Sequence, residues 1–244
     1  MDMVGRLAAV VTSLSRKQDR VLVGVDGPDV AGKTTLADQL ARALDVPTLR
    51  ASIDGFHQSR ELRYQRGELS AEGYYRDSFD HQALLSECLR PFGEGVARVQ
   101  IARYDHKTDA GSSVRVAEVP ARAVLIFDGV FLLREQLRDQ WTLSVYLRVS
   151  PRETLRRAKV RDMNLFGSHE EIERRYLGRY LPGQALYRSE VDPEAIAQVV
   201  VDNDRADAPT VKRWMVPVVE NSSDKRRFPS LSANTHQSHP TMPI

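Results

Sequence analysis

Cysteine is all but missing from this chain: Cys88 stands alone among 244 residues, so an internal disulfide is excluded. The disulfide-stapled secreted class goes with it, and the expected setting is a reducing cytoplasm. Long apolar runs are missing as well. No stretch approaches the ~20 residues of a membrane-spanning helix, and the apolar segment 7–14 is broken by Thr12 and Ser13, which argues against a secretory leader. A mean hydropathy of -0.41 fits a soluble chain with no membrane partner. Nor does one charge prevail. With 35 basic and 33 acidic side chains the net charge is +2, too balanced for nucleic acid binding by bulk electrostatics. No N-K-x-D guanine-reading motif occurs, and no internal repeat. What remains is a length suited to one α/β domain.

Residues 21–36 read VLVGVDGPDVAGKTTL. A β-branched run ends at Asp26, and Gly27 to Thr34 then spell G-x-x-x-x-G-K-T before a run of helix formers, the order that a phosphate-binding loop requires. Gly27 and Gly32 let the backbone turn its N–H groups inward, a nest for phosphate oxygens at a helix N-terminus. Asp29 and Ala31 lie within the nest. Lys33 is expected to reach the β- and γ-phosphates, and the Thr34 hydroxyl to coordinate Mg²⁺, a hard ion that takes few protein oxygens. Thr35, next in line, mainly caps and packs. Gly27, Asp29, Ala31, Gly32, Lys33, Thr34 and Thr35 are thus the expected nucleotide-binding set.

Around this loop the periodicity predicts a leading amphipathic helix (Leu7, Val10, Val11, Leu14), a helix after the loop (Leu36, Leu40, Ala41, Leu44) and strands over 48–53, 96–104, 124–127, 143–149 and 197–201. Residues 59–75 read as a polar, functional insertion, and 80–89 as a helix closed by Pro91. Residues 111–123 read as turns and 132–137 as a helix. Helices start at Pro151 and Ser168, the second interrupted at Leu181-Pro182-Gly183. From 221 the composition turns polar. The expected division is a kinase-like domain over 1–220 and a disordered tail over 221–244.

Three acids end strands: Asp26, Asp54 and Asp128. In a doubly wound sheet ligands bind outside the carboxyl ends of the strands, so Asp54 and Asp128 are expected to face the crevice of the phosphate loop. Asp128, after an apolar strand, suits Mg²⁺ or its water, and Asp54 then suits the base for an acceptor hydroxyl. The competing reading makes each Asp-Gly pair a plain turn, and for Asp26 turn capping is favoured. Phosphoryl transfer spreads charge over equatorial oxygens, so a basic helical lid would stabilise it. Arg157 and Arg161 share one helical face, with Lys159 off it; the alternative is a solvated surface.

GPDVAGKTT, then DGFH, an Arg- and Tyr-rich insertion ending in YYRDSFD, a YDH strand end and a strand closing at FDG together resemble the uridine kinase, phosphoribulokinase and pantothenate kinase superfamily, over residues 21–203. The resemblance implies an α/β P-loop NTPase fold, a parallel sheet flanked by helices with a basic lid. It implies ATP and Mg²⁺, and transfer of the γ-phosphoryl group to a small-molecule hydroxyl. By position it makes Lys33, Asp54 and Arg161 catalytic, and Thr34 and Asp128 metal-binding, and gives Arg157 a place beside the nucleotide. An arginine common in the family's lid is Ala158 here. The family's Phe-Asp-His ribose segment aligns with Tyr74-Tyr75-Arg76, and a base-binding histidine with Asp109; Tyr104 and His106 look more like pantothenate kinase.

His57, Arg63, Tyr104 and His106 are accordingly the candidate acceptor-binding residues, with Arg60 and Arg66 suited to an anionic acceptor. Uridine or a related nucleoside is the first-choice acceptor. Pantothenate or a sugar acid is the alternative, and a catalytically silent nucleotide-binding module the reading from another class. Family resemblance leaves homo-oligomer formation open.

Overall fold

Strand β1, Arg20–Asp26, is buried at every position, and its side chains divide between two cores. Val21, Val23 and Val25 face one side, Leu22 the other. β5, Ala123–Gly129, repeats the division with Val124 and Ile126 against Leu125 and Phe127. Strands buried on both faces show the continuous apolar runs that made them legible, and such strands occur where helices cover both sides of a parallel sheet. The computed structural model describes residues 2–105 and 115–216 and has that architecture.

The main sheet has six strands in the order β2-β5-β1-β6-β7-β8, with β2 at Thr48–Ser52, β6 at Leu143–Arg148, β7 at Val199–Asp202 and β8 at Thr210–Trp214. All neighbours are parallel except the β7–β8 pair. Helices α1 (Met3–Lys17) and α2 (Lys33–Arg42) cover the valine face through Leu7, Val11, Leu36 and Leu40. Leu84, Leu89, Phe92, Phe131 and Tyr187 cover the other. Register carries the acids to one edge: Asp128 stands beside both Val25 and Ser52, two residues before Asp54.

Several expected boundaries moved. Neither internal proline ends its helix. Residues 81–93 and 169–191 each run on without a break, and in each a π turn precedes the proline, at Leu84–Leu89 before Pro91 and at Tyr176–Tyr180 before Pro182. A widened turn makes room for the ring and for the missing N–H. β3, Arg98–Ala102, leaves the main sheet and pairs antiparallel with β4, Arg115–Glu118, a strand within the stretch expected to be turns. The insertion holds two short helices, α3 (Arg60–Tyr64) and α4 (Ala71–Asp77). Residues 132–137 become helical only at Glu135–Arg138. The expected tail, and His106 with it, lies outside the described residues.

Candidate active site

The loop after β1 turns inward at strained positions. Gly27 has φ 154° and Gly32 φ 88°, and Val30, β-branched, is held at φ 53°, where such residues are genuine outliers. A Cβ on Gly27 would meet the Leu147 carbonyl at 2.6 Å. Two of the loop's carbonyls are tied by residues from outside the loop: Asn203 Nδ2 donates to Ala31 O at 2.8 Å and the Arg157 guanidinium to Val30 O at 3.4 Å, while Arg157 also donates to Asn203 O, just past β7, at 2.5 Å. Asp26 caps the loop as expected, its Oδ1 accepting from Gly27 N–H at 2.7 Å while its Oδ2 accepts from the Tyr187 hydroxyl at 2.5 Å. Burial pushes the Asp26 carboxyl up to about 6.

Lys33 opens α2, and its Nζ donates to Pro28 O at 2.6 Å. Burial pulls its pKa below the ordinary lysine value, opposed by the carboxylates of Asp29, Asp26, Asp54 and Asp128. The Thr34 hydroxyl donates to Asp128 Oδ2 at 2.7 Å. Arg50 on β2 donates to Asp128 Oδ1 and to Ile126 O, both at 2.8 Å, and to Asp38 at 3.0 Å. Asp54 differs. It is exposed in the single turn Ile53–Phe56, and among the described residues its carboxylate accepts no hydrogen bond and forms no ion pair.

These groups floor a cleft of two lobes. The larger, about 680 Å³, is lined by Lys33, Asp29, His57, Arg63 and Tyr176; the smaller, about 570 Å³, by Arg50, Tyr104 and Arg115. Thr34, Ser52, Asp54 and Asp128 line both. His57 stacks near Phe79, ring centres 4.5 Å apart, and its Nδ1 lies 3.0 Å from Asp54 O. Arg161 reaches the larger lobe from the helix Pro151–Arg161, paired with Asp162 at 2.5 Å, whose other oxygen accepts from Tyr176 at 2.7 Å.

Some expected residues sit elsewhere. Arg157 lines neither lobe; its guanidinium serves loop carbonyls and Glu153, so its contribution to the nucleotide site runs through the loop. Lys159 pairs with Glu173, and Thr35 is exposed on the first turn of α2, lining neither lobe. Arg66 pairs with Asp77. Ala158 is fully buried against Ile172 and Tyr176, which leaves no room for an arginine. Tyr74 and Tyr75 are buried in α4; Tyr75 packs, whereas Tyr74 lines the larger lobe. A Phe-Asp-His triplet does occur further on, as Phe79-Asp80-His81, with Phe79 lining the larger lobe and Asp80 capping a helix through Ala83 N–H at 2.9 Å.

Residues 22–183 match the model of the phosphoribulokinase/uridine kinase family. The chain belongs to that family. A uridine kinase of Proteus mirabilis is 27% identical over 149 residues, 59% of this chain and 68% of the relative. "Inorganic pyrophosphatase TTM2" of Arabidopsis thaliana is 28% identical over 196 residues, 78% of this chain, which spans only 27% of that protein's length. D-glycerate 3-kinase from Cryptococcus neoformans superposes with a TM-score of 0.62 at 17% identity, covering 86% of this chain and 99% of the other, a likeness of fold.

Membership places the chain in a family of P-loop proteins named for kinases, and the donor set fits a bound nucleotide. The glycine-turned loop and Lys33 suit a polyphosphate, and the hard oxygens of Thr34 and Asp128 suit Mg²⁺. Among the described residues no helix is long and apolar enough to cross a membrane. Two arginines escaped the sequence reading in this phosphoribulokinase/uridine kinase member. Arg50 orients Asp128. Arg179, buried, donates to the carbonyls of Arg63, Glu68 and Ser70 at 3.1–3.3 Å and so fastens the insertion to the helix 169–191. Their partners are far away in sequence, and no local pattern marks them.

Proposed function

We propose that the protein transfers the γ-phosphoryl group of ATP to a hydroxyl of a small molecule, with uridine or a related nucleoside as first acceptor. One observation carries the reading: Asp54, an exposed carboxylate with no cation or donor on it among the described residues, lies on the floor common to both lobes with Thr34 and Asp128. Unpaired, it is available to accept the acceptor's proton, whereas Asp128 is committed to Thr34 and Arg50. ATP supplies the phosphoryl group when bound, and Mg²⁺ its neutralisation. Thr34 and Asp128 would hold the metal, Lys33 the phosphate oxygens, and Arg161 would meet the transferred group from the lid.

The uridine kinase relative and the Phe79-Asp80-His81 triplet support a nucleoside acceptor. His57, Arg63 and Tyr104 stand along its two lobes as contacts. The test is ATP consumption with Mg²⁺ against uridine, cytidine, pantothenate, D-glycerate and pentoses. Stimulation by uridine is expected. Asp54→Asn should lower kcat by about 100-fold or more, in line with the loss of a general base, and leave ATP affinity within about threefold. Full turnover in that variant would remove Asp54 from the mechanism.

A further inference from the structure

We infer that the carboxylate of Asp29 belongs to the acceptor site, where it takes a hydrogen bond from a hydroxyl other than the one phosphorylated, so that the acceptor is polyhydroxylated. The inference rests on the kinase reading above and names the acceptor class of that same site. It starts from an anomaly. A loop with the glycine and lysine spacing of an anion nest carries an acid at its third position, where like charge would oppose the phosphates. The side chain, close enough to Lys33 to act on its charge, is held from the other side by the insertion. Its Oδ2 accepts from the Tyr74 hydroxyl at 2.8 Å, and Tyr74 belongs to α4 of the insertion, not to the phosphate loop.

Tyr74 is a rigid anchor. It is buried edge-on against Tyr180 at 4.9 Å and Phe131 at 5.0 Å, so the carboxylate is fixed in direction. Asp29 lines the larger lobe with His57, Arg63 and Phe79, and among the described residues its Oδ1 accepts no hydrogen bond. A carboxylate only accepts, and a half-buried one lining a cavity beside cations selects a neutral donor such as a hydroxyl. A site built to bond a hydroxyl rejects the analogue that lacks it far more strongly than an apolar pocket rejects a methylene.

The experiment uses wild type, Asp29→Ala, Asp29→Asn and Tyr74→Phe, each with two readouts. The first is the Kd of Mg·ADP by calorimetry. The second is kcat/KM with uridine, D-ribose and D-glycerate, each beside analogues one hydroxyl poorer: 2′- and 3′-deoxyuridine, 2-deoxy-D-ribose and 3-hydroxypropionate. Wild type should prefer the fuller member of the pair it uses by about 100-fold. Asp29→Ala should bring that preference within about threefold while Mg·ADP binds as well or tighter. Asp29→Asn, which keeps an accepting oxygen, should restore part of it. Tyr74→Phe should raise the acceptor KM and spare kcat. A tenfold weaker Mg·ADP affinity in Asp29→Ala would assign the carboxylate to the nucleotide and overturn the inference. So would a preference that survives in Asp29→Ala, and in that case the kinase reading stands. A wild type inactive on every probe removes the kinase reading and the inference together.

Discussion

Asp26, Asp54 and Asp128 all precede glycine at or just past the end of a strand, and their surroundings give them three different chemistries. Asp54 is open to solvent, Asp128 is held between a hydroxyl and a guanidinium, and Asp26 is buried at 1% exposure under the loop. Burial raises the Asp26 carboxyl to about 6, against an unfolded value near 4, so between these pH values the folded state binds the extra proton. The contribution of this group to stability is therefore complete below about pH 4 and is lost as pH rises through about 6. Its size is on the order of 2–3 kcal/mol. Asp26→Asn should flatten that part of a melting-temperature profile and raise the melting temperature at pH 7 to 8. An unchanged slope between pH 4 and 7 would assign the dependence to other groups.

At the scale of elements, the lid and the phosphate loop depend on each other through backbone carbonyls. Arg157 carries this coupling, with bonds to Val30, Asn203 and Asp204, and Glu153 holds it at 2.7 Å. Arg157→Ala should release a strained loop and weaken nucleotide binding about tenfold, with a smaller loss in kcat; isothermal titration checks it. The buried face of the same helix forbids what the family often carries there. Ala158→Arg should place a long cation against Ile172 and Tyr176 and destabilise the protein by about 3 kcal/mol or more, without a gain in activity. Thermal melts together with the ATP-consumption assay report both quantities. The π turns before Pro91 and Pro182 belong to this scale too. They stayed invisible because a proline ordinarily ends a helical pattern, and nothing in the local periodicity announces a widened turn.

Across the whole molecule, the two cores are joined through a thin sheet. Gly24 on β1 lies under Trp141, and a Cβ there would stand 2.7 Å from the indole. The Trp141 indole N–H is also tied to Leu132 O at 2.8 Å, so the ring has little freedom to yield. Gly24→Ala should cost about 2–3 kcal/mol in urea unfolding, a loss that Trp141→Leu in the same background would partly relieve. The cleft is a property of this scale as well: its lobes join strand ends from β2 and β5, the insertion and the lid helices.

The sequence by itself determined the buried strands and the phosphate loop, because a strand covered on both faces must be apolar throughout and an anion nest needs its glycines and lysine at fixed spacing. It also pointed Asp54 and Asp128 to one crevice, although Asp54 stands in the turn after β2 and not at the strand's end. β4 and β8 were not legible. Arg115–Glu118 and Thr210–Trp214 pair on one side only and carry charged residues that read as loop. Only the tertiary structure decided which acid is paired and which is open, since Arg50 reaches Asp128 across 78 residues of chain. It likewise turned Arg157 toward carbonyls and Asp29 toward Tyr74. Spacing along a chain specifies direction within one helix or strand, whereas these partners meet through packing of elements whose separation no local pattern encodes.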